Sequence, residues 1–221
     1  ISLVALMSMA LKDKSQRGEF IQGAYRSSAA ILGIAFITNI YGNSGMAPLM
    51  IIGSVPLYNI MAVLVLSFTK PGQNGMSSEL LKKTLKGIVT NPIILGILAG
   101  ALWSLLRLPM PTILSKTVSN LGSLTTPLGL MTMGAAFNWG EAKTGMGPAF
   151  VASFMKLFGL CTLFLPVAVL LGFREAELIA ILVMLGSSTT VSSYVMARNM
   201  GHSGVLSSSI VAITTLGSAF S

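Results

Sequence analysis

Apolar runs that are long enough to cross a membrane follow one another along most of the chain. After a short apolar segment at residues 1–11, seven such runs are separated by polar or glycine-rich stretches. A helix needs about 20 residues to cross the hydrocarbon core of a bilayer. The pattern therefore predicts an all-α polytopic membrane protein. The predicted spans are Phe20–Tyr41, Ala47–Phe68, Asn91–Leu106, Val118–Phe137, Pro148–Phe173, Ala176–Met200 and the shorter Val205–Ser221.

Polar residues interrupt two of these runs. Leu185–Ser193 places a glycine and a cluster of Ser and Thr at the centre of the sixth span, and Thr125–Pro127 interrupts the fourth. Glycine and hydroxyl side chains weaken a helix, and loosened backbone inside a membrane occurs where it is buried in protein or lines a cavity. The central cluster therefore predicts a discontinuous helix of the kind found in transporters. The alternative is close packing against a neighbouring helix.

Composition agrees with a membrane protein and changes how the charge is interpreted. Of the 221 residues, 53% are hydrophobic and only 9% are charged, and the mean hydropathy is +0.81. The net charge of +8 is therefore assigned to cytoplasmic loops rather than to nucleic-acid binding. The single cysteine, Cys161, lies in an apolar run and is assigned to packing. The short apolar segments at both ends lead us to expect that the sequence is a fragment.

The basic residues set the orientation of the predicted spans. If residues 1–11 end inside the cell, ten basic residues are cytoplasmic and only Arg107, Lys116 and Arg174 are external, which is the bias that membrane proteins show. The ten cytoplasmic residues are Lys12, Lys14, Arg17, Arg26, Lys70, Lys82, Lys83, Lys86, Lys143 and Arg198. Of these, Lys143 lies with Glu141 in a short predicted loop before the fifth span.

Two loops have the same pattern on opposite sides of the predicted membrane. Gly42–Gly45 and Gly201–Gly204 both read Gly-x-Ser-Gly, and an apolar run follows each of them. Each preceding span also contains Leu-Gly, at residues 32–33 and 185–186. Equivalent elements on opposite sides predict an inverted repeat, an arrangement common in secondary transporters.

Several motifs, in the same order, resemble those of the auxin efflux carrier family. Arg26-Ser27-Ser28, Leu32–Phe36 and Tyr41-Gly42 look like the fourth helix of that family. The later matches are Pro56 with Asn59 for the fifth helix, Asn91-Pro92 for the sixth, Pro127–Leu130 with Gly134-Ala135 for the seventh, Lys156-Leu157 for the eighth and Thr190–Arg198 for the ninth.

The resemblance implies two inverted five-helix repeats, with the chain covering the end of helix three to helix ten. Residues 1–68 would form the moving part of the first repeat, 69–90 a cytoplasmic connector, 91–137 scaffold helices six and seven, and 146–221 the moving part of the second repeat. Interrupted helices four and nine would cross at the substrate site. The resemblance further implies a permease of small organic anions, such as malate, malonate or auxin-like carboxylates, that works by alternating access. A bacterial inner membrane location and a homodimer formed through scaffold helices are also expected.

The expected site contains no proline at either break. Ser28 and Ala35 stand where the family usually has Asn and Pro, and no proline follows Pro166. Gly33 and Gly186 with the Ser/Thr cluster would therefore make the breaks. Hydroxyl donors and the positive ends of half-helices favour an anion. The predicted substrate-binding residues are Ser28, Gly33, Ala35, Gly186, Ser187, Ser188, Thr189, Thr190 and Lys156.

Two basic residues allow more than one interpretation. Lys156 lies inside a span, where an ionisable group is a functional candidate, although its stem could also reach the headgroups. Arg26 lies nearer a span end and is expected to reach the headgroups or a lipid phosphate. All six acidic residues fall in loops or at span ends, which argues against a carboxylate proton relay.

Other functions fit the sequence less well. A serine protease would need Ser44 and His202 together, but the predicted topology puts them on opposite sides of a membrane about 30 Å thick. One His and one Cys provide no metal constellation, and no phosphate-binding loop is present, so neither an enzyme nor a cofactor is predicted. A bile-acid-sodium-symporter-like carrier and a non-transporting membrane sensor remain alternatives.

Overall fold

The architecture was examined in a computed structural model. It describes residues 1–11, 13–28, 33–43, 45–70, 82, 85–87, 89–90, 92–137 and 139–220, with the backbone only at 35, 36, 47, 93, 141 and 144. This part of the chain is helical and contains no β-strand. The predicted all-α fold is therefore confirmed for this part of the chain.

The first segment contains four α-helices. They are α1 (Ser2–Ser8), α2 (Arg17–Tyr25), α3 (Ile34–Tyr41) and α4 (Ala47–Phe68), and a short 3-10 helix at Lys14–Gln16 precedes α2. Asp13 caps that turn, because its carboxylate accepts a hydrogen bond from the Ser15 backbone N–H at 2.9 Å. The predicted span Phe20–Tyr41 is thus two half-helices, α2 and α3, rather than one continuous helix.

The middle segment contains α5 (Pro92–Leu105) and α6 (Thr112–Ala135). Pro92 is the first residue of α5, where its missing N–H costs nothing. Helix α6 continues through Thr125–Pro127, where polar residues interrupt the apolar run. Polar side chains lowered the hydropathy at this point without breaking the backbone helix. Of the predicted connector 69–90, residues 71–81, 83, 84 and 88 lie outside the described residues.

The last segment begins with a long rod and ends with a second pair of half-helices. Helix α7 (Trp139–Phe154) runs through a π-helical turn, Met155–Gly159, into α8 (Leu160–Leu170). Then come α9 (Glu175–Gly186), α10 (Ser192–Asn199) and α11 (Val205–Gly217). Glu141 and Lys143 belong to α7 and not to a loop as predicted, because a charged turn extends the helix beyond its apolar part.

The first and the last segments pack together through α2, α7 and α11. Phe20 and Ala24 of α2, Ala149 and Ala152 of α7, and Ile210 of α11 lie in one buried apolar cluster. Close approach depends on a glycine, since a Cβ at Gly23 would lie 2.6 Å from Cδ1 of Ile210. The packing of α2, α7 and α11 holds the interrupted helices in place.

A buried carboxylate fixes the start of α11. Glu19 is 1% exposed, and its two oxygens accept hydrogen bonds from the backbone N–H groups of Gly204 at 2.9 Å and Ser207 at 2.8 Å, and from the Ser203 hydroxyl at 3.0 Å. The negative charge also suits the positive end of α11. Glu19 lies at a helix end as predicted, but it acts inside the protein.

Two helices in the described part can each cross a bilayer without a break. They are Pro48–Phe68 within α4 and Gly145–Leu170, which runs from α7 through the π-helical turn into α8. Apolar helices Ile94–Leu105 and Val205–Gly217 are shorter. The seven-span topology stays a prediction.

Candidate functional site at the crossing of two interrupted helices

The first break separates α2 from α3. Helix α2 ends at Tyr25, and Arg26 has extended backbone, with φ −70° and ψ 141°. The helix resumes at Ile34 after Gly33, whose N–H donates to the Ser28 carbonyl at 3.4 Å. Residues 29–32 lie outside the described residues.

The second break separates α9 from α10 at the predicted position. Helix α9 ends at Gly186, and Ser187 is extended, with φ −68° and ψ 154°. Helix α10 begins at Ser192. At Gly186 a Cβ would lie 3.1 Å from the sulfur of Cys161, so glycine lets α8 pass close to the end of α9.

The two breaks meet directly. The Ser28 N–H donates to the Ser188 carbonyl at 2.9 Å, and the hydroxyls of Ser27 and Ser187 are hydrogen-bonded to each other. The Thr189 hydroxyl donates to the Gly23 carbonyl at 2.7 Å. Backbone groups that a broken helix leaves free are costly in lipid unless they find partners. Here each break supplies partners for the other, which explains how both persist without proline.

A cavity of about 880 Å³ lies beside the crossing. Its size is in the range of small-molecule sites. Hydroxyl groups come from the crossing, from α6, from α11 and from Thr90. Asn199 and apolar side chains complete the wall, and no Asp or Glu is among the described residues that line it. The hydroxyl-bearing residues are Ser28, Ser188, Thr189, Thr190, Ser192, Thr90, Thr125, Thr126 and Thr215.

The structure gathers only part of the predicted set at this cavity. Ser28, Ser188, Thr189 and Thr190 line it. Gly186 and Ser187 line a separate cavity of about 430 Å³ with Cys161. Gly33 is buried beside the first break, and the side-chain position of Ala35 lies outside the described residues.

Lys156 stabilises the end of α9 and does not line the cavity. It is completely buried in the π-helical turn, and its Nζ donates to the carbonyls of Met184 at 3.2 Å and Leu185 at 2.8 Å. These carbonyls belong to the last turn of α9, where the helix dipole is negative. The headgroup interpretation of Lys156 is therefore wrong. The side chain caps the half-helix that stops at the break.

Arg26 also lies inside the protein and does not reach the headgroups, so that expectation is wrong as well. It is 3% exposed, and its Nη2 donates to Asn59 Oδ1 at 3.0 Å and Ser192 Oγ at 2.9 Å. It was not among the predicted site residues. The sequence carried one signal, a basic residue two positions before Ser28, but its partners are on α4 and α10, far away along the chain.

Comparison with known proteins decides the family. A family model described as membrane transport protein matches residues 1–221, the whole chain. The chain belongs to this family. No curated protein and no solved structure matches it.

Membership confirms the resemblance to the auxin efflux carriers and makes the protein an integral membrane protein of a transporter family. For a membrane transport protein, a cavity beside two crossed half-helices is where a small solute would bind. Among the described residues, no group of three or more His, Cys, Asp or Glu could hold a metal ion.

Proposed function

We propose that this membrane transport protein is a secondary transporter of small organic anions, carboxylates such as malate or malonate, working by alternating access. The observation that carries the proposal is the cavity at the crossing, where Ser28, Ser188, Thr189 and Thr190 present hydrogen-bonding groups beside the start of α10. A helix start is the positive end of its dipole, and hydroxyls can donate to a carboxylate, although that of Thr189 already donates to the Gly23 carbonyl.

The packing supports a division into moving and scaffold parts. Residues 1–68 and 146–221 share the buried cluster of α2, α7 and α11, and they would move together. Residues 91–137 would be the scaffold, since the only residues of α6 that are buried are Gly129 and Met133 in the described chain. The location that fits this function is the bacterial inner membrane, with a homodimer formed through the scaffold.

The two glycine loops support the inverted repeat on which alternating access would depend. Gly42 and Gly45 have φ of 71° and 45°, and Gly201 and Gly204 have φ of 87° and 74°. Both loops therefore use a left-handed residue at the first and fourth positions, a conformation that glycine adopts without strain. Each loop follows the second half of an interrupted helix and leads into the next helix.

Uptake into proteoliposomes tests the proposal. The full-length protein is expected to take up radiolabelled malate or malonate with saturation. Thr190→Val removes a cavity hydroxyl and should raise the KM about tenfold, the order expected for one lost hydrogen bond to a charged ligand. Thr117→Val makes the same change on the exposed face of α6 and should leave the KM unchanged. No saturable uptake of any small carboxylate by the parent protein would refute the substrate class.

A further inference from the structure

Arg26 provides a buried positive charge next to the cavity. Its Nη2 bonds the amide oxygen of Asn59 and the hydroxyl of Ser192, its Nη1 lies 3.2 Å from the sulfur of Met196, and its Nε is buried without a partner. None of these three side chains is negatively charged. A guanidinium stays protonated in proteins, and a buried charge is costly unless it is paired. The arrangement is therefore incomplete without an anion.

Two of the three contacts of Arg26 belong to the cavity wall. Ser192 and Met196 both line the cavity. The Ser192 oxygen accepts the hydrogen bond from Arg26, so its own proton points to another acceptor. Within the wall, the Ser192 and Thr190 hydroxyls lie 3.2 Å apart and either can donate to the other, so an anion in the cavity could accept the Ser192 proton in place of Thr190. The guanidinium thus orients Ser192 as a donor toward the cavity.

The charge also adds to the field of a helix. Ser192 is the first residue of α10, an eight-residue helix, so the guanidinium and the positive dipole end act at the same place. Because Arg26 is buried, its charge is screened less than a charge in water. Since no carboxylate is among the described cavity residues, the local field favours an anion.

We propose that Arg26 is the positioning residue that makes this cavity select anions, acting through the oriented hydroxyl of Ser192. The inference rests on the proposed function, and it names the residues of the same site that recognise the carboxylate. It differs from a bracing role, in which Arg26 would only tie α2 to α4 and α10. The two roles give different results when its charge is cancelled while its contacts are kept.

Asn59→Asp is the variant that separates them. An aspartate at this position keeps the acceptor for Arg26 and strengthens the contact between α2 and α4. Its negative charge, however, offsets the positive charge of the guanidinium. The variant should weaken binding of malonate, a dicarboxylate, about ten- to hundredfold, as expected for a lost charge-assisted contact. Binding of malonamide, the uncharged diamide of the same acid, should be unchanged. Asn43→Asp is the matched control, since its oxygen accepts from the Gly45 N–H at 2.9 Å in an exposed loop, which a carboxylate can do equally well.

Ser192→Ala tests the second half of the inference. It removes the donor and leaves the contact between Arg26 and Asn59 in place. The preference for carboxylate over diamide should fall about tenfold. Ser209→Ala, a buried serine of α11 that bonds its own helix at 3.0 Å, is the control for removal of a buried hydroxyl. Arg26→Lys keeps the charge and should retain most of the preference.

The measurement is made in two ways. Thermal unfolding of the full-length protein in detergent, with malonate or with malonamide, reports anion binding without transport, and proteoliposome uptake gives KM and maximal rate. Unfolding without ligand checks the fold of Asn59→Asp, which loses the donation from Asn59 to the Val55 carbonyl. Malonate should stabilise the parent protein and not Asn59→Asp.

The outcomes distinguish the two proposals. If the parent transports carboxylates and Asn59→Asp and Ser192→Ala keep its preference, the role of Arg26 is refuted and the proposed function stands. If malonate stabilises the parent in an Arg26-dependent way but no carboxylate is transported, the anion site stands and the transport proposal fails. If no small anion stabilises the parent, the inference is refuted.

Discussion

At the residue scale, Lys156, Glu19 and Arg26 are buried and act at the ends of helices, and none of them forms an ion pair with another described residue. Lys156 closes the end of α9, Glu19 holds the start of α11, and Arg26 contacts the start of α10. Each charge has the sign that suits its helix end except Arg26, which adds positive charge to a positive end. That exception is what makes Arg26 an anion-selecting residue rather than a cap.

Lys156→Met should destabilise the protein. The variant leaves the partly buried carbonyls of Met184 and Leu185 without a donor, at a cost of about 1–3 kcal/mol in the free energy of unfolding. Lys143→Met, at an exposed position of α7, is the control and should have little effect. Thermal unfolding in detergent measures both. An unchanged melting temperature for Lys156→Met would contradict a capping role.

Hydropathy could identify these residues as unusual but could not assign their partners. Lys156 was predicted to be either functional or at the headgroups, and Arg26 to be at the headgroups. The atoms that they bond belong to residues 28 to 170 positions away along the chain. A charged side chain near a span end gives the same sequence pattern whether it turns outward to lipid or inward to another helix.

At the element scale, the sequence predicted the broken helix well where several signals coincided. Glycine and consecutive hydroxyl residues mark the break at Gly186–Ser192, and the structure ends and restarts the helices there. At Thr125–Pro127 a proline and two threonines are present, yet α6 continues. The difference is the partner. At the crossing the Ser28 N–H donates to the Ser188 carbonyl and the Gly23 carbonyl accepts from the Thr189 hydroxyl, and these bonds compensate for an open backbone.

The two glycine loops differ in what surrounds them, although their backbones agree. Gly42 and Gly204 have φ of 71° and 74°, but a Cβ would meet nothing within 4 Å at Gly42, whereas at Gly204 it would lie 2.6 Å from Cδ of Arg198. Gly42→Ala should cost about 1–2 kcal/mol for the left-handed conformation. Gly204→Ala should cost about 1–3 kcal/mol more, because it also overpacks.

Thermal unfolding of the two variants in parallel checks this order. Because Gly42 and Gly204 have nearly the same φ, the backbone cost is the same in both variants. The difference between their melting temperatures therefore measures packing at the start of α11. Equal melting temperatures would mean that the loop after α10 is as open as the loop after α3.

At the scale of the whole molecule, α6 approaches the crossing closely at one glycine. A Cβ on Gly129 would lie 2.9 Å from Cγ1 of Val191, which is the residue before α10. If the crossing shifts past the scaffold during transport, this contact must slide. A bulky residue at position 129 should therefore hinder motion more than binding.

Gly129→Val is expected to lower the maximal rate of uptake at least about tenfold, with a smaller change in KM, since a conformational step limits many transport-like cycles. Gly134→Val is the matched control in the same helix, because a Cβ there would meet nothing within 4 Å. Both variants replace a glycine of α6 with the same β-branched residue, so the residue type is matched between them. Equal rates for the two variants would show that α6 and the crossing do not slide against each other, and the division into a moving and a scaffold part would then have to be abandoned.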